Sequence, residues 1–77
     1  MQLKDYLSKR RGNATSLAEK LGVSISFLSQ MASGNAAISP RRAIEIERFT
    51  GGQVSRADCL PDEWPHIWPE YKPSNPE

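Results

Sequence analysis

With 77 residues, the chain has room for one domain and one modest core, because two domains would each fall below the usual size for independent folding. Its 38% hydrophobic content excludes a wholly disordered chain, and no apolar run approaches the ~20 residues that cross a bilayer. The net charge of +1 averages two unlike halves: residues 1–50 carry eight Lys/Arg against four Asp/Glu, a sum of +4, and residues 51–77 carry two against five, a sum of −3.

The first predicted helix runs from about Gln2 to Arg11, with Leu3, Tyr6 and Leu7 on one apolar face and Gly12 as its stop. The second opens with Asn13 as N-cap, turns Leu17, Ala18 and Leu21 inward and ends at Gly22. Ser24 caps a third, with Leu28 and Met31 facing inward, until Gly34. After the loop Asn35-Ala36-Ala37-Ile38, Ser39 places a capping hydroxyl before Pro40 at the first helical position. The fourth helix takes Ala43, Ile46 and either Phe49 or Thr50 inward and stops at Gly51-Gly52. Gln53-Val54 reads as a short extended piece, and Ser55 as the cap of a single turn through Leu60. Pro61, Pro65, Pro69, Pro73 and Pro76 then forbid any long helix. Trp64, Ile67, Trp68 and Tyr71 are too apolar for a linker and are expected to fold back on the helices. The domain is thus expected over 1–71, with 72–77 a frayed tail.

The densest pattern is the window from Ala14 to Ser33. Its fifth position is Ala18, small enough for two helices to cross closely, and its ninth is Gly22, suited to the left-handed backbone of a tight inter-helix turn. Leu17, Leu21, Val23, Leu28 and Met31 fill the positions that share a core. These constraints fit a helix-turn-helix over 13–34. A plain helical hairpin that binds nothing is the bland alternative. Against it, the outward residues of the third helix are Ile25, Ser26, Ser29, Gln30 and Ser33, with no charge among them, where a merely solvated helix usually shows Lys and Glu. Arg10, Arg11, Arg41 and Arg42 sit at the helix ends around this face. An uncharged reading surface with a basic rim points to double-stranded DNA.

The window resembles the lambda-repressor-like domain of phage Cro and repressor proteins. More narrowly, the run from Ser39 to Gly52 and the tail Ser55 to Trp64 and Ile67 to Glu70 are similar to the YdaS-type branch of Cro-like regulators, so that the resemblance covers about residues 1–71. Met31 stands where that branch commonly has tryptophan, and Ile25 where a polar residue usually begins the recognition helix. The resemblance implies an all-α, lambda-repressor-like fold of four to five short helices with an irregular Pro/Trp-rich C-terminal tail. It also implies a phage or prophage repressor that binds an operator in a bacterial cytoplasm, associated with the nucleoid.

The third helix is expected to enter the major groove. Gln30 can pair bidentately with adenine, Ser26 and Ser29 can hydrogen-bond many bases, and Ile25 can pack on a thymine methyl. Asn13, Ser33, Asn35, Arg41 and Arg42 are the candidates for holding the DNA backbone. Two adjacent arginines at a helix N-terminus oppose the macrodipole, an argument that they have a partner. Such proteins usually bind as two-fold dimers; no self-complementary apolar seam is visible, which leaves open a homodimer formed only on DNA.

Catalysis lacks its parts. Cys59 and His66 are the only residues of their types, too few for a nucleophile–base pair or a metal site, so neither an enzyme nor a cofactor nor a small-molecule ligand is expected. Cys59 reads as a small buried hydrophobe and, unpaired, fits a reducing compartment. The opening Met1-Gln2-Leu3-Lys4-Asp5 lacks the layout of a secretory signal, and no membrane partner is expected. The competing class is an antitoxin or protein-interaction module that presents Trp64, Trp68 and Tyr71 to a partner.

Overall fold

In the computed structural model, which describes residues 1–71, the spacing of Leu3, Tyr6 and Leu7 gives a first helix, α1, over Leu3–Lys9. Gly12 follows in the left-handed region, and α2 occupies Asn13–Leu21. The next helices are α3 (Ile25–Ser33), α4 (Pro40–Phe49), α5 (Arg56–Cys59) and α6 (Trp64–Ile67). No strand occurs among the described residues, so the fold is all-α. The expected tail at 72–77 lies outside the described residues.

Side-chain oxygens start three of these helices as expected. The Ser24 hydroxyl accepts from the Phe27 N–H at 3.0 Å, and the Ser39 hydroxyl accepts from the Arg42 N–H at 3.2 Å. Ser55 forms a full capping box with Asp58: each side chain accepts from the other residue's backbone N–H at 3.0 Å. Burial raises the Asp58 pKa, but the Ser55 backbone bond, the amine of Met1 and the Ser55 hydroxyl outweigh it and hold the carboxyl below its ordinary value.

Two glycines shape the ends of α2 and α3. At Gly22 (φ 74°) and Gly34 (φ 88°) the backbone turns left-handed, a conformation open to glycine because it has no Cβ. The N–H one residue beyond each then reaches back five residues: Val23 to the Ala18 carbonyl at 3.0 Å, and Asn35 to the Gln30 carbonyl at 2.9 Å. These bonds satisfy carbonyls that a helix end otherwise leaves bare.

The core is built where α2 packs on α1, α3 and α4. Leu3, Leu17, Ala18, Leu21, Leu28, Met31, Ile46 and Val54 form one buried cluster, with Ala43 and Leu60 also buried. Fully burying a side chain such as Leu28 or Ile46 contributes about 1.5–3 kcal/mol. The α2–α3 contact therefore does more than form a hairpin, because Leu28 and Met31 fix which side of α3 faces out.

Two expectations need correction, and one open alternative is settled. Asn13 is the first residue of α2 rather than its cap, because Gly12 holds the cap position with no side chain to offer. The Asn13 amide instead donates to the Tyr6 carbonyl at 2.8 Å and ties α2 to α1. Helix six was not foreseen: Pro65 lies in its first turn, where the missing N–H has no helical partner to lose. Thr50 is the deeply buried member of the Phe49/Thr50 pair, at 2% exposure, while Phe49 is half-buried.

Candidate nucleic-acid interface

The outward face of α3 follows from the direction of its buried side chains. At about 100° per residue, Ser26 and Ser33 lie opposite Leu28 and Met31, flanked by Ser29 and Gln30, and all four are exposed. Ile25 and Phe27 mark opposite edges of this face, 49% and 37% exposed. The helix carries no ionisable residue. Ser33 is less free than its exposure suggests, since its hydroxyl donates to the Gln30 carbonyl at 3.2 Å. Phe27 was absent from the residues expected at this face. Its signal was an aromatic side chain one position before the inward Leu28, a place that falls at the boundary rather than inside.

The residues expected to hold a phosphate divide into two groups. Arg41 projects with its side chain 90% exposed and only a 3.6 Å approach to Glu45. Asn35 is exposed in the loop after α3. Arg42, by contrast, is turned inward: its Nη1 donates to the Leu21 carbonyl at 3.0 Å and lies 3.6 Å from Glu45. A cation at the C-terminal carbonyls of α2 is favoured by that helix's dipole, which answers why an arginine tolerates the start of α4. Asn13 is likewise engaged through its amide. Beside it, Tyr6, Lys9, Arg10, Asn13 and Gln53 line a polar cleft of about 190 Å³, in which Lys9 donates to the Gln53 side chain at 2.9 Å.

On another part of the molecule the C-terminal segment closes over α4 and α5. The Arg56 guanidinium pairs with Glu47 at 2.7 Å and lies 5.2 Å from the Trp68 ring centre and 4.5 Å from that of Tyr71. The Tyr71 hydroxyl donates to Glu47 at 3.0 Å, and Trp64 meets Tyr71 edge-on at 5.8 Å. Burial, then the Glu47 hydrogen bond and charge, raise the Tyr71 pKa. Ile67 and His66 stay exposed. Cys59 is half-buried against the core; burial, followed by the negative charges of Asp58 and Glu47, pushes its thiol up to about 12. No helix among the described residues is long and apolar enough to cross a membrane.

Fold and site together define a small all-helical protein with a helix-turn-helix arrangement at α2–α3. The chain belongs to the YdaS family: the family model described as Bacterial toxin YdaS matches residues 5–67. No curated protein matches the chain.

Proposed function

We propose that this protein is a sequence-specific double-stranded DNA-binding transcriptional regulator, a Cro-like phage or prophage repressor that reads its operator with α3 in the major groove. One observation carries the reading: the exposed face of α3 is uncharged and built from small hydroxyls and one amide, held outward by the burial of Leu28 and Met31. Side chains of that kind allow close approach to base edges, and charged side chains set around the approach contact phosphates. Gln30 is the base reader of highest discrimination, with Ser26 and Ser29 adding broader contacts and Ile25 an apolar one. Ser33, Asn35 and Arg41 serve the backbone, as does Asn13 through the start of α2. Arg42 is assigned a packing role instead, on the ground that its Nη1 donates to the Leu21 carbonyl.

Selection from random duplexes tests the reading directly. A defined site is expected, and Gln30→Ala should weaken binding to it by about 1–3 kcal/mol while relaxing the preference at one base pair. Equal weakening on every sequence would show that Gln30 does not read a base.

The family's description favours a second reading, in which the chain acts within a toxin–antitoxin pair through Trp64, Trp68 and Tyr71. Induced expression separates the two. Growth arrest that persists in the Gln30→Ala variant and vanishes in Trp68→Ala would favour the protein contact.

A further inference from the structure

The uncharged face of α3 ends at its edges in two large apolar side chains, Ile25 and Phe27, which the buried core does not include. Helix geometry relates them differently to Gln30. Phe27 precedes Gln30 by three residues, which places it about 60° around the helix and about 4.5 Å along it. Ile25 lies about 140° away, on the far edge. Successive base pairs are about 3.4 Å apart along the duplex, so a side chain one turn from Gln30 on the same edge faces the neighbouring pair.

Phe27 is also held in place. Its backbone N–H is bound by the Ser24 cap at 3.0 Å, and its neighbour Leu28 is fully buried. At 37% exposure the ring is partly supported by protein, and a phenyl side chain has few rotamers to lose on contact. The major groove offers one apolar feature to such a ring, the C5-methyl of thymine.

Resting on the major-groove reading above, we propose that Phe27 is a second specificity determinant of α3. Its ring meets the C5-methyl of a thymine in the base pair next to the one that Gln30 reads. The contact selects thymine over cytosine without a hydrogen bond and makes the site a two-base step, adenine by the amide and thymine by the ring.

The test replaces each thymine of the selected site in turn by uracil, which removes only the methyl and leaves base pairing intact. Wild-type protein should lose about fourfold in affinity at one thymine beside the Gln30 position, the value of one buried methyl-sized group. At that thymine Phe27→Ala should bind the thymine and uracil duplexes equally, and Phe27→Leu should keep part of the preference. The uracil series on wild-type protein needs no variant to fold. A selected site with no methyl-sensitive thymine beside the Gln30 position overturns this inference alone, as does a loss at that thymine that persists in Phe27→Ala and disappears in Ile25→Ala. Failure to select any site overturns the DNA reading itself, and this inference with it.

Discussion

Cys59 shows how position, rather than residue type, decides reactivity. Only the thiolate is a nucleophile, and the half-buried Cys59 thiol has its pKa pushed up to about 12 by burial and by the nearby Asp58 and Glu47 carboxylates. A raised folded-state pKa keeps the proton on at every pH below it. At pH 8 an ordinary cysteine is about one quarter thiolate, whereas a thiol titrating near 12 is about one part in ten thousand. Iodoacetamide should therefore modify the native protein at pH 8 at least ~100-fold more slowly than the urea-unfolded chain. Comparable rates in the two states would show that the thiol is open in solution and that its packing against the core does not shield it.

At the scale of elements, the joint between α4 and α5 depends on one hydroxyl. Thr50 follows α4 and is buried; its Oγ1 donates to the Ile46 carbonyl at 2.7 Å and accepts from the Val54 N–H at 3.1 Å. Val54 is itself fully buried in the core, so this hydroxyl supplies the hydrogen bond its N–H needs. Thr50→Val keeps the shape and strands that donor, at a cost of about 1–3 kcal/mol. Thr50→Ser keeps the bonds and removes a methyl, at a cost of about 0.8 kcal/mol. Urea midpoints should rank wild type, then Ser, then Val. A Val variant as stable as wild type would mean that the joint holds without the hydroxyl.

The same joint shows what the sequence made legible. Ser24, Ser39 and Ser55 could be read as caps because a cap bonds to an N–H two or three residues ahead, within the same stretch of chain. Gly22 and Gly34 were readable as helix ends for the same local reason. Asn13 and Arg42 were not, since their partners are set by how elements pack: the Tyr6 carbonyl and the Leu21 carbonyl. Proline spacing suggested an irregular tail, yet a single turn such as α6 accepts proline in its first positions. Phe27 escaped because periodicity sorts side chains into inward and outward, and its position is neither.

Taken as a whole, the molecule distributes its charge so that some cations are neutralised internally and others are exposed to solvent. Arg56 is held by Glu47 beneath the C-terminal rings, and Arg42 by Leu21 and Glu45. Among the described residues, Arg10, Arg11 and Lys20 form no ion pair, and Arg41 has only its distant approach to Glu45. A net charge of +1 therefore understates the field that a polyanion would meet at the α2–α3 side. Adjacent arginines 41 and 42 provide the decisive comparison, because they share sequence context and differ only in direction. Each phosphate contact contributes about −0.9 to the slope of log K against log salt on duplex DNA. Arg41→Ala should make that slope shallower by about one unit between 50 and 200 mM salt, with base preference intact and thermal stability unchanged. Arg42→Ala should leave the slope unchanged and lower stability by about 1.5–3 kcal/mol, the worth of a charged hydrogen bond to a carbonyl. A slope that responds to Arg42 and not to Arg41 would reverse the two assignments and imply that the bond to Leu21 gives way when DNA binds.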